Sequence, residues 1–124
     1  MARTRRQLLG QRQEGRALRH LRAAGLTLIT RNFRSRCGEI DLVTLDADCL
    51  VFVEVRYRRP GRTTAVETVD EHKCRRLQSA AEFFLAGRPA LASQPVRFDV
   101  VAIDEIGWGR TSLRWIRDAF RPDD

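Results

Sequence analysis

Apolar and polar positions divide the chain into two helical and five strand-like stretches. From about Gln7 to Ala24, the residues Ala17, Leu18, Leu21 and Ala24 recur at helical spacing among arginines, and Gly25 supplies a stop. Leu26 to Asn32 reads as a short strand. Gly38 to Leu45 alternates, with Glu39, Asp41, Val43 and Leu45 on one face and Ile40, Leu42 and Thr44 on the other. Cys49 to Tyr57 alternates as well, Leu50, Phe52, Glu54 and Arg56 against Val51, Val53, Val55 and Tyr57. Asp46-Ala47-Asp48 joins these two strands into a hairpin. Both faces carry apolar residues, which predicts helices packed on both sides of the sheet. Arg58 to Thr64 is a loop. A capping box, Thr68 with Glu71, predicts the start of a second helix whose stripe is Cys74, Leu77, Ala80, Ala81 and Phe84, ended by Gly87 and Pro89. Val96 to Ile103 is a further strand and Thr111 to Ile116 a last one. The order helix, three strands, helix, strand, strand predicts an α/β domain with a mixed four- to five-stranded sheet.

A length of 124 residues is one domain, placed at residues 7–120, between a flexible basic tail at 1–6 and a short tail at 121–124. With 43% hydrophobic and 31% charged residues the chain is neither disordered nor a membrane protein in composition. Its longest apolar run, Cys49 to Val53, is far short of the roughly 20 residues that cross a bilayer. No signal peptide is visible behind the N-terminal arginines, so the expected location is the cytoplasm. Cys37, Cys49 and Cys74 are odd in number and show neither a C-x-x-C nor a zinc-ligand spacing with histidine, which reads as three reduced thiols and no zinc site.

Charge adds a partner class. There are 22 arginines and one lysine, Lys73, and the formal net charge is +7. Residues 1–36 hold ten arginines and a single acid, Glu14, while the remainder is slightly acidic. A basic segment joined to a balanced body suggests a polyanion, most simply nucleic acid, although a solvated arginine-rich surface explains the same charge about as well. Arg12, Arg16, Arg34 and Arg36 of that segment, with Arg58, Arg59 and Arg62 of the loop, are the candidate phosphate contacts. No membrane contact is expected, and a homodimer is left open.

Two placements of carboxylates are out of the ordinary. Glu14 precedes Ala17 and Leu18 by three and four residues, so it sits on the apolar stripe of its helix and needs a partner. If Asp46 faces Cys49 across the hairpin turn, Asp41 faces Glu54, and two carboxylates directly opposite repel. A cation between them relieves that repulsion, and an oxygen-only set suits magnesium. The alternative is an ordinary salt bridge from either acid to Arg56 or another arginine. Glu39 is expected to pair with Arg56, and Asp99 with Arg97 as a structural pair in the sheet. His20 and His72 are expected at the surface; Trp108 and Trp115 are read as packing residues, with base stacking open to an exposed tryptophan.

The segments Gly38-Glu39-Ile40-Asp41-Leu42-Val43 and Val51-Phe52-Val53-Glu54-Val55-Arg56-Tyr57-Arg58 resemble the YraN family, bacterial proteins of the restriction-endonuclease-like nuclease superfamily. Glu14 before Gly25, Lys73 at the head of the second helix, Arg97-Phe98-Asp99-Val100-Val101 and the segment Trp115 to Phe120 extend the resemblance over about residues 10–120. It implies a restriction-endonuclease-like core, and a metal site of Glu14, Asp41 and Glu54 holding Mg2+ or Mn2+. It also implies a catalytic set of Asp41, Glu54 and a basic residue acting on DNA, branched DNA included. Where the superfamily usually has lysine two residues after the Glu, this chain has Arg56, which can stabilise phosphate charge but cannot serve as a base. Lys73, alone among so many arginines, is the candidate replacement, against the plainer reading of a helix-surface lysine. The substitution also keeps two other readings in play: a nucleic-acid-binding protein without turnover, and a scaffold in a DNA repair or processing complex.

Overall fold

The regular elements are α1 (Arg5–Ala23), β1 (Thr27–Ser35), β2 (Gly38–Asp46), β3 (Cys49–Arg58), α2 (Glu71–Ala86), β4 (Val96–Gly107) and β5 (Arg110–Phe120), in the predicted order. The computed structural model describes residues 4–61 and 63–121; residues 1–3 and 122–124 of the expected tails, and Arg62 of the basic loop, lie outside the described residues. The strands form one mixed sheet in the order β1-β2-β3-β4-β5. β3 and β4 run parallel with α2 between them in the chain, and every other neighbouring pair is antiparallel.

Each helix covers one face. Ala17, Leu18 and Leu21 of α1 bury against Leu42, Val51, Val53, Val101 and Ile103. Ala80, Ala81 and Phe84 of α2 bury against Ile40, Val43, Leu50, Phe52 and Phe98. That arrangement accounts for strands that are apolar on both faces. Phe84 is fully buried and meets the Phe33 and Phe52 rings edge-on, with centroids 5.1 and 5.7 Å away.

β4 and β5 extend beyond the expected 96–103 and 111–116, and β3 takes in Arg58 of the expected loop; three further boundaries differ from the sequence expectation. α1 begins at Arg5, because Thr4 and Gln7 form a capping box, so Arg5 and Arg6 are its first turn and not a tail. α2 is capped by Asp70, whose side chain accepts from the Lys73 N–H at 2.8 Å; Thr68 ends a short 3-10 turn instead. β1 runs on to Ser35 through Asn32, which takes φ 52°. Asparagine tolerates that left-handed conformation better than most residues, so a position that reads as a strand end is an irregularity within a strand.

The irregularity matters for what lies opposite. Arg31 pairs with Leu42 and Phe33 with Ile40, which puts Asn32 and Asp41 at one level of the β1–β2 ladder. Residues three apart in a regular strand point to opposite faces. Ile40 and Val43 nevertheless pack in the same cluster under α2, so the pleat of β2 is broken around Asp41 and the expected placing of Ile40 with Leu42 is corrected. Gly38, at φ 150°, lets β2 pass close to α2: a Cβ there would lie 3.1 Å from the Arg76 carbonyl oxygen. α2 is thereby held against the charged end of the hairpin.

Adjacent phenylalanines test the packing. Phe84→Ala should cost about 3–5 kcal/mol, whereas Phe83→Ala, at a side chain 50% exposed, should stay within about 1 kcal/mol. Urea midpoints of the two variants check the contrast.

Candidate functional site

Three carboxylates reach one region from three elements. The hairpin has the expected register, with Asp46 opposite Cys49 and Leu42 opposite Val53, but the paired rungs stop there. Asp41 and Glu54, next in sequence, do not form the directly opposed rung that was expected. The Val55 N–H donates to Asp41 Oδ2 at 2.8 Å instead. The carboxylate thus occupies the opening between β2 and β3.

Glu54 is only 3% exposed. Lys73 Nζ lies 3.4 Å and Arg56 Nη1 3.6 Å from its Oε1. Burial and the Asp41 charge push the Glu54 pKa up to about 8, against the pull of both cations. Asp41 is raised too, by burial, with the Val55 N–H and Lys73 pulling the other way. Glu14 is raised by burial and then by Asp41, opposed by a hydrogen bond from the Asn32 side chain and by Arg31. Asp41 is therefore the charge that acts on both other carboxylates. Glu14 Oε1 is buried, accepts no hydrogen bond, and has Arg31 Nη2 no nearer than 3.9 Å.

The basic residues divide into committed and available groups. Arg56 Nε donates to Thr68 Oγ1 at 2.7 Å, and Thr68 in turn donates to the Ala65 carbonyl. Thr68 is thus the anchor of Arg56, a role its reading as a helix cap concealed. Glu39 pairs with Arg34 at 3.7 Å and not, as expected, with Arg56. Arg16, among the expected phosphate contacts, donates through Nη1 to Thr111 Oγ1 on β5 at 2.8 Å, which ties it to the fold. Arg36 is exposed in the β1–β2 turn. Asp99 and Arg97 form the expected structural pair, at 2.8 Å, joined by the Trp115 indole N–H.

Two clefts meet at Glu14. One, of about 310 Å³, is lined by Gly10, Glu14, Asn32, Arg34, Glu39 and Asp41 among others. The other, of about 370 Å³, lies between Arg6, Gln13 and Glu14 of α1 and Arg56, Tyr57 and Arg58 of β3. Arg5 and Arg59 continue the second wall outward, with Arg12 beside them. Arg5 and Arg6 were missed in the sequence because they read as a tail; the signal available was the Thr4-x-x-Gln7 cap. Arg31 and Asn32, which flank Glu14, carry no sequence signal beyond being polar in a strand.

The donor set consists of oxygens only, with Asp41 close enough to raise the pKa of both glutamates and one buried oxygen of Glu14 accepting no hydrogen bond. That chemistry fits a hard divalent cation. Among the described residues no three His, Cys, Asp or Glu side chains are gathered closely enough to hold an ion as they stand. Closing on one would require the carboxylates to converge.

A carboxyl with a raised folded-state pKa holds its proton more tightly folded than unfolded. Its ionisation therefore destabilises the fold progressively as pH climbs from 4.5 towards about 8. Glu54→Gln removes that ionisation. In metal-free buffer the variant should gain stability relative to the unsubstituted chain between pH 5 and pH 8, on the order of a few kcal/mol, read as the difference in urea midpoints.

Comparison with known proteins gives the lineage. The model of a family described as "Uncharacterised protein family UPF0102" matches residues 13–103, a span that contains Glu14, Asp41, Glu54, Arg56 and Lys73. A UPF0102 protein of Pseudomonas entomophila (strain L48) is 49% identical over 112 residues, 90% of this chain and 91% of its own. One of Xanthomonas campestris pv. campestris (strain B100) is 50% identical over 120 residues, 96% of each chain. The chain belongs to the UPF0102, or YraN, family.

Proposed function

We propose that the protein is a metal-dependent phosphodiesterase of the restriction-endonuclease-like kind, acting on DNA. The observation that carries the reading is the buried Glu54 carboxylate, crowded by Asp41 and contacted by Lys73 Nζ at 3.4 Å. Such a group costs stability, and perturbed buried carboxylates of this kind cluster at functional sites.

Glu14, Asp41 and Glu54 are the residues that would hold Mg2+ or Mn2+. A divalent ion bound there would supply Lewis acidity, offsetting charge on the scissile phosphate and making a water molecule more acidic. The chain's own groups do the rest. Lys73 reaches the site from the first turn of α2 and, as a movable ammonium, can donate to a phosphate oxygen or orient the attacking water. Arg56 is held by Thr68 and Glu54, and its guanidinium keeps its proton, so its part is to steady Glu54 and offset phosphate charge. Arg6 and Arg58 at the cleft, with Arg5 and Arg59 beyond, suit the backbone on either side of the cut.

A second reading, nucleic-acid binding without turnover, is favoured by the open state of the carboxylate set. A panel of linear, single-stranded, flapped and four-way DNA, with RNA, each with and without Mn2+, decides between them. On the nuclease reading at least one substrate is cut only with metal. Asp41→Asn and Glu54→Gln should abolish cutting and leave binding intact or tighter. Lys73→Ala should slow it by about 10²-fold. No cutting of any substrate, with binding retained, would establish the second reading.

A further inference from the structure

The β4–β5 hairpin ends in Gly107-Trp108-Gly109, where Gly107 pairs with Arg110. Trp108 has φ 48° and is as exposed as a free side chain, 102% of reference. The two-residue turn itself requires the positive φ, so it is the choice of tryptophan there that serves no purpose of the fold, and the exposed ring corrects its expected role as a packing residue. Left-handed backbone favours glycine or asparagine, and a bulky residue there is an outlier. Burial gains nothing from a ring that touches no core. The contrast with Trp115 is direct: that indole donates to buried Asp99 at 2.9 Å and lies under the Arg117 guanidinium. Ile106, next to the tip, is also exposed, at 59%.

The tip's position gives it a use. β4 runs parallel to β3, with Val100 level with Glu54 and Asp104 level with Arg58. The hairpin therefore projects from the same end of the sheet as the candidate site, beyond the basic wall. At about 3.3 Å per residue, Trp108 stands roughly 13 Å past the level of Arg58 and roughly 26 Å past Glu54. The two acids near the base of the tip are engaged, Asp104 by the Ala65 N–H and Glu105 by the Tyr57 hydroxyl. Exposed Arg110 flanks the ring. An exposed aromatic ring with one arginine close by in the chain, beyond an arginine-lined wall, suits an unpaired base followed by its phosphates.

We propose that Trp108 stacks on an unpaired or extruded base, which makes the substrate a DNA in which a single-stranded segment or branch lies some 26 Å from the phosphate at Glu54, about eight base-pair rises. This rests on the nucleic-acid reading above. Trp108→Asn tests it, since asparagine keeps the left-handed turn and removes the ring.

The full chain, in EDTA so that nothing is cut, is titrated against three labelled probes: a 20-base-pair duplex, the same duplex ending in a fork, and a single strand. Trp108→Asn should weaken binding to the fork and single strand by about tenfold and leave the duplex unchanged, with Trp108→Phe in between. Tryptophan fluorescence of the unsubstituted chain should be quenched by the fork and not by the duplex, and Trp108→Asn should lose that quenching. Equal affinities of Trp108→Asn and the unsubstituted chain on all three probes would overturn the stacking role while leaving the nucleic-acid reading in place, and would point to a protein contact at the tip. Absence of binding to every probe would overturn both.

Discussion

Repulsion between a buried carboxylate, Glu54, and the half-buried Asp41 beside it is the constraint around which the charged end of this molecule is arranged. Glu54 is buried on a central strand, and Asp41 sits in the opening beside it. Neither charge is comfortable alone or together, and both are raised in pKa. The surrounding structure supplies partial relief from three directions: the Val55 N–H, Lys73 from α2, and Arg56 anchored on Thr68. None of these removes the cost. A fold selected for stability alone would place apolar residues there, as it does one rung away with Leu42 and Val53.

The division of labour between Arg56 and Lys73 follows from their chemistry. A guanidinium makes several fixed hydrogen bonds and holds its proton, which suits a residue that braces Glu54. An ammonium on a flexible stem can move between a carboxylate and an incoming phosphate. Asp70 places Lys73 by capping α2 at the Lys73 N–H, so the helix start and the cation are fixed by one side chain. The close pass of β2 at Gly38 sets the distance between that helix and the hairpin.

Much of this was legible in the chain. Two-faced apolar strands required a sheet covered on both sides, and the hairpin register followed from matching faces, so the level of Asp41 with Glu54 could be read directly. Glu14 stood out because it broke a helical stripe. The rest depended on local backbone choices that patterns do not encode. Asn32 reads as a strand end, yet its left-handed φ lets β1 continue and accompanies the broken pleat that turns Asp41 away from a regular rung. Thr68 and Asp70 both make acceptable caps; Thr68 is spent on Arg56, a contact twelve residues distant that no capping rule contains. Arg16 and Arg12 look alike in sequence, and only the position of β5 separates the tied arginine from the available one.

On the proposed function, Glu14, Asp41 and Glu54 would form the seat of a divalent cation. Calorimetric titration of Mn2+ into the metal-free protein at pH 7, in two buffers of different ionisation enthalpy, tests it most directly. With Glu54 protonated at that pH, binding should release about one proton, so the apparent heat should differ between the buffers, and the difference should vanish in Glu54→Gln. Absence of any binding heat, with or without an oligonucleotide present, would contradict the account.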